Sequence, residues 1–268
     1  MHTALDIARS SATAGATILD SMRENMGDVR SKDSATDFVT EADVASGLAI
    51  VREILRLDPN ARVLVEEPEV CEQLSLEPGA LDDHEVWVID PLDGTTSFLH
   101  GFPCFSVSVA LVRDGQAIAG AVYNVALGEL FSAARGLGAF KDGRPIRCST
   151  ASSVRDALLV TGFPYDRGAP LDRQLAVLAA FLRTPVHGIR RDGSAANDCC
   201  HVAMGRADGF WEYTLKPWDM AAGAVICAEA GAIVTAADGA PWSASSTSIC
   251  VANPAVHRDM LAVIDSAD

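Results

Sequence analysis

Residues 106–148 read as a β-meander, whereas beyond about residue 150 strand-like and helix-like stretches alternate, and one layer cannot satisfy both halves. Runs at 106–112, 117–123 and 129–134 have strand length, with turn signals at Asp114-Gly115 and Asp142-Gly143. The later part predicts strands at 157–161, 186–189, 207–211, 231–235 and 249–252. Helices are predicted between them at 171–182, 194–204, 218–230 and 255–264. Ahead of the meander, Leu5, Ala8, Ala12, Ala16, Leu19 and Met22 recur at helical spacing. A second helix is expected from Thr40, where Thr40-Glu41-Ala42-Asp43 has the form of a capping box and Val44, Leu48, Val51 and Leu55 continue the period. Short strands at 62–65 and 85–89 each run into carboxylates. The acidic stretch 67–85, with Pro68, Pro78 and Gly79, reads as a surface excursion. The pattern predicts a layered α+β/α/β architecture over 1–268. Its α+β part covers about 1–150 and its α/β part about 151–268.

With 49% hydrophobic residues, a 268-residue chain can bury a sizeable core. The formal net charge of −15 argues against broad electrostatic binding of nucleic acid or anionic membrane. An acidic protein handles an anionic substrate most easily when bound cations reverse the local field. The seven cysteines show no CxxC pair and no zinc spacing, so they read as free thiols of a reducing compartment. The first residues lack the basic start and apolar run of a signal peptide, and no stretch approaches the ~20 apolar residues of a membrane span. A soluble, cytoplasmic protein is the expectation.

The most informative stretch is Trp87-Val88-Ile89-Asp90-Pro91-Leu92-Asp93-Gly94-Thr95-Thr96. An apolar strand ends at Asp90, Pro91 turns the chain, and a second acid follows three residues on. Two carboxylates across a tight turn can bind a hard cation through oxygen. Amides opening a helical turn at Gly94 and Thr95 suit phosphate oxygens. The same residues are also ordinary turn punctuation after a strand. Glu66-Glu67 follows Val63-Leu64-Val65, and Asp219 follows Trp218 at a helix start. By themselves these read equally as a solvated acidic pair and a helix-cap aspartate. Spacing alone does not make the acids converge.

The blocks Asp37-Phe38-Val39-Thr40-Glu41-Ala42-Asp43, Glu66-Glu67, Asp90 to Thr96, and Trp218-Asp219-Met220-Ala221-Ala222-Gly223 resemble the inositol monophosphatase family, in that family's order. Gly193-Ser194-Ala195-Ala196 and Gly205-Arg206-Ala207-Asp208-Gly209-Phe210-Trp211-Glu212 match as well, so the resemblance runs from about Lys32 to Gly231. It implies a layered αβαβα sandwich holding two or three Mg²⁺, often Li⁺-inhibited and often a homodimer. Carried over by position, Glu66, Asp90 and the Leu92 carbonyl would hold one metal, and Asp90, Asp93 and Asp219 the next. Gly94 and Thr95 amides would take the phosphate. Ser194, Ala195 and Glu212 would meet the substrate, and Lys32 would stand at the rim. Asp43 and Thr95 would orient and deprotonate a metal-activated water, with Glu66 in support; Asp43 also reads as a plain capping residue.

Four positions depart from the family pattern: Val65 stands where glycine is common, Leu92 where isoleucine is, Ser97 where asparagine is frequent, and Ala232 where a second glycine is usual. None removes a proposed ligand. The expected reaction is hydrolysis of a small polyol phosphate, inositol-1-phosphate first. Histidinol phosphate, a bisphosphate nucleotide or fructose-1,6-bisphosphate are the alternatives. A regulatory binding protein with secondary catalysis is the rival of another class. Arg190 and Arg191 are expected on a salt-bridged or subunit-interface face rather than in the pocket.

Overall fold

The computed structural model describes residues 2–23, 29–31 and 38–267. Lys32, the expected rim lysine, lies outside the described residues. The chain opens with α1 (Ala4–Met22), whose N-cap Thr3 and N3 residue Asp6 exchange hydrogen bonds in a capping box. The short strands β1 (Val29–Ser31) and β2 (Phe38–Thr40) pair antiparallel and lead into α2 (Glu41–Leu57). The buried face of α2 carries Ala42, Val44, Ile50, Val51 and Ile54, and also Asp43. Leu48 and Leu55 are only partly covered. The helix is therefore rotated from the face expected of it, and Asp43 points inward.

Next come β3 (Val63–Val65), α3 (Pro68–Leu74), β4 (Glu85–Asp93), α4 (Thr95–Leu99), β5 (Ser106–Arg113), β6 (Gln116–Asn124), β7 (Glu129–Ala134), β8 (Gly138–Lys141) and β9 (Arg144–Pro145). They form a seven-stranded sheet in chain order, antiparallel except for the parallel pair β3–β4. Helix α3 corrects the reading of 67–85 as a surface excursion. Pro68 occupies the first turn, where its missing N–H costs nothing, and Val70 and Cys71 are buried.

The second half contains β10 (Leu158–Thr161), α5 (Ala169–Arg183), β11 (Gly188–Arg190), α6 (Ala195–Ala203), β12 (Gly209–Tyr213), α7 (Pro217–Glu229), β13 (Ile233–Thr235), β14 (Ser248–Ala252) and α8 (Pro254–Asp265). Its five-stranded sheet has the order β11-β10-β12-β14-β13, with β10 parallel to both neighbours and β14 antiparallel to both of its own.

Helices α1 and α2 cover one face of the large sheet, burying Leu19, Ile50 and Ile54 against Ile89, Val107 and Val109. Helices α6 and α7 fill the space between the sheets. Met220 to Cys227 are buried without a break, as a helix apolar on every side requires. That middle layer joins Val122 and Phe131 of the large sheet to Phe210 and Val251 of the small one. Helices α5 and α8 close the outer face with Phe181, Val256 and Met260 around Trp211. The expected αβαβα layering is what these contacts build. All seven cysteines are free thiols, as read from their spacing. No helix among the described residues is long and apolar enough to cross a membrane.

Candidate active site

The acids meet because of register. Strands β3 and β4 run parallel with Val65 opposite Ile89, so Glu66, just past the end of β3, stands beside Asp90, which is still within β4. Asp90 and Asp93 are an odd number apart, which on a regular strand would send them to opposite faces. A register shift prevents this: Asp90 pairs with Ser108 and Asp93 with Ser106, so β4 carries one extra residue around Pro91. Such a bulge re-aims side chains, and both acids line one cavity. Asp219 arrives from the first turn of α7. The Ser108 hydroxyl donates to the Trp218 carbonyl at 2.9 Å, docking that helix end beside Asp90.

The cavity holds about 670 Å³, within the usual range for small-molecule sites. Glu66, Asp90, Leu92, Asp93, Gly94, Thr95, Ser194, Ala195, Glu212 and Asp219 all line it. Asp93 is held firmly: its Oδ2 accepts from the Ser194 hydroxyl at 2.7 Å and from the Ala196 amide at 2.8 Å. Ser194 thus spends its proton on Asp93 while capping α6 through the Asn197 amide. Gly94 is left-handed, and a Cβ there would stand 2.9 Å from the Cys104 carbonyl and 3.0 Å from that of Gly193. Only glycine makes this turn. The Thr95 hydroxyl lies 3.2 Å from both Asp43 Oδ1 and the Leu92 carbonyl.

Charge is crowded here. Burial pushes the Asp90 carboxyl well above the usual range, and the neighbouring Glu66, Asp93 and Asp219 charges push it further. Asp219 is raised by burial and then by Glu66 and Asp93. Asp93 goes up to about 6 through burial, held back by its bonds from Ser194 and Ala196. Glu212 is pushed up to about 8 by burial and Asp93, while Arg191 pulls the other way. Carboxylates that resist ionisation beside one another are suited to a cation, and the donor set is all oxygen, which matches a hard divalent ion. Among the described residues, however, no three His, Cys, Asp or Glu side chains already close to ion-holding geometry.

Arg191 corrects the expectation of a surface or interface arginine, since it lines the cavity with Lys216. Arg190 stays exposed, and its guanidinium donates to the Ile189 carbonyl. Phe163, Pro164 and Tyr165 also line the cavity and were not singled out in the sequence.

The sequence matches the inositol monophosphatase family over residues 1–267. The inositol-1-monophosphatase of Synechocystis is 41% identical over 260 residues, covering 97% of this chain and 88% of that one. Nus factor SuhB of Vibrio cholerae is 37% identical over 255 residues, covering 95% and 92% respectively. Among solved structures, extragenic suppressor protein SuhB from Bartonella henselae superposes with a TM-score of 0.88 at 35% identity, covering 97% of this chain and 98% of its own. Inositol monophosphatase from Anabaena gives 0.83 at 36% identity, covering 98% and 95%. The layered fold and these relatives define a phosphatase, a phosphoric monoester hydrolase. The chain belongs to the inositol monophosphatase family, whose members are in general metal-dependent.

Proposed function

We propose that the chain hydrolyses a small polyol phosphate, with inositol-1-phosphate as first substrate, in the presence of Mg²⁺. The observation carrying this reading is the meeting in one cavity of Glu66, Asp90, Asp93 and Asp219 with the Gly94-Thr95 turn. Glu66, Asp90, Asp93, Asp219 and the Leu92 carbonyl would hold two or three Mg²⁺. When bound, these ions supply Lewis-acid polarisation of the phosphoryl group and favour deprotonation of water.

The protein's own groups do the rest. The Gly94 and Thr95 amides orient the phosphate so that water meets phosphorus in line with the departing oxygen. Thr95, donating to Asp43, positions that water, and Asp43 receives its proton. Glu212 and the backbone at Ala195 hold the hydroxyls of the alcohol. Ser194 acts through Asp93, fixing its carboxylate, rather than on the substrate. The overall charge of −15 is compatible with an anionic substrate only because cations offset the acids locally.

Homodimerisation and Li⁺ inhibition belong to the same proposal and rest on the family resemblance, while a cytoplasmic setting rests on the cysteine pattern and the first residues. A second reading, regulatory binding to other proteins, is favoured by relatives named Nus factor SuhB. The test is phosphate release with Mg²⁺, and its loss with EDTA, across inositol-1-phosphate, histidinol phosphate, fructose-1,6-bisphosphate and adenosine 3′,5′-bisphosphate. Preference for inositol-1-phosphate supports the proposal. No Mg²⁺-dependent release from any of the four leaves the binding role in its place.

A further inference from the structure

We infer that Tyr165, with Phe163 beside it, is a specificity-determining wall of the cavity that takes the ring face of a cyclic alcohol. This rests on the phosphatase reading and names the alcohols that reading favours.

The wall is placed by the second sheet. Strands β10 and β12 run parallel with Thr161 opposite Trp211, so Gly162, just past the end of β10, stands beside Glu212, which is still within β12. They are in contact: a Cβ on Gly162 would stand 2.2 Å from both Glu212 carboxylate oxygens. A side chain at 162 would displace the Glu212 carboxylate, and glycine leaves that carboxylate its place. The path is also pinned from behind. Gln174, fully buried on α5, donates through Nε2 to the Gly162 carbonyl at 2.7 Å and to Thr161 Oγ1 at 2.6 Å. The Thr161 hydroxyl in turn donates to the Trp211 carbonyl at 2.6 Å.

Phe163, Pro164 and Tyr165 follow directly from the anchored Gly162 and line the same cavity. Tyr165 does so while 51% exposed, whereas Trp211, Phe181 and Phe210 are fully buried. An aromatic ring half in water beside a pocket gains when a ligand covers it. The lining combines the acids Glu66, Asp90, Asp93 and Asp219 with the aromatic residues Phe163 and Tyr165. An alcohol whose phosphate lies among the acids and whose hydroxyl meets Glu212 turns its remaining face to the two rings. The C–H face of a cyclitol or sugar, or a flat heterocycle, buries area against them. An open-chain alcohol offers no such face.

The test compares inositol-1-phosphate with glycerol-2-phosphate in the parent protein, Tyr165→Ala and Tyr165→Phe, each with Mg²⁺. Tyr165→Ala should lower the ring-to-open-chain ratio of kcat/KM about ten-fold, through KM more than kcat, as expected for lost apolar contact in a specificity pocket. Tyr165→Phe, which keeps the ring, should preserve the ratio. An unchanged ratio in Tyr165→Ala overturns the inference while leaving the phosphatase reading intact. A parent inactive on both esters sinks the phosphatase reading instead. The wall is then judged by ligand-observed NMR with free inositol, whose binding must weaken in Tyr165→Ala and persist in Tyr165→Phe; equal binding in all three overturns it.

Discussion

The Thr95 hydroxyl donates to Asp43 Oδ1 across 3.2 Å, joining the turn after β4 to an acid buried on the inner face of α2. The same hydroxyl stands 3.2 Å from the Leu92 carbonyl and has one proton for two acceptors. Occupation of that carbonyl biases the proton toward Asp43. Asp43→Asn should lower kcat about 10²–10³-fold, the scale of a lost general base, with little change in KM. Adding Thr95→Val should cost little more, because the two groups act as a unit. Steady-state kinetics on the single and double variants check this, and fully additive losses would separate the pair.

Glu212 contacts the alcohol but not the phosphoryl group in this account. Glu212→Gln should raise KM for inositol-1-phosphate at least several-fold, and raise it less for p-nitrophenyl phosphate. Equal effects on the two esters would remove Glu212 from its role.

Metal-free protein should lose stability as pH rises. Asp93 and Glu212 have ordinary values of 3.8 and 4.5, and burial lifts them in the fold to about 6 and about 8. Between each pair of values the unfolded chain has released a proton that the folded chain keeps. From these two groups stability therefore falls with pH across roughly 4 to 8. Scanning fluorimetry in EDTA should show Tm dropping over that window, and saturating Mg²⁺ should raise the high-pH end most. A Tm in EDTA that rises from pH 5 to pH 8 would contradict the electrostatic picture.

Away from the cavity, Glu129 accepts from Arg206 at 2.6 Å and from Lys141 at 2.6 Å. The Arg206 bonds, aided by Lys141, hold its carboxyl down at about 2, against the cost of burial. A depressed value contributes stability above about 4.5 that is lost as pH falls through about 2. Glu129→Gln should destabilise by roughly 1–3 kcal/mol at pH 7, since its partners are partly solvated. Urea titrations should show the gap to the parent narrowing on acidification toward pH 2. A gap that stays constant would mean that packing rather than charge is lost.

Much of this was legible in the chain itself. The spacing of α1, the meander from β5 to β7 and the alternation from β10 to α8 all follow from local periodicity, and the observed ends differ by only a few residues. Asp90 and Asp93 were visible because they lie three residues apart across Pro91. Their common direction was not, since it depends on the bulge opposite Ser106 and Ser108, a matter of pairing between strands. Helix α3 was missed because Pro68 reads as a breaker as readily as a first-turn residue. Arg191 was noticed but expected on a surface or interface face, and Tyr165 gave no signal: each enters the cavity through the second sheet's connections. The departures at Val65, Ser97 and Ala232 leave the acids in place.

The account depends on divalent cations gathering the carboxylates of both halves of the chain. Anomalous scattering from a crystal soaked in Mn²⁺, collected at the manganese edge, tests this most directly. Peaks between Glu66, Asp90, Asp93 and Asp219, with carboxylate oxygens at roughly 2.0–2.3 Å, are the predicted result. Ordered side chains in that cavity with no anomalous peak among them, at saturating Mn²⁺, would contradict it.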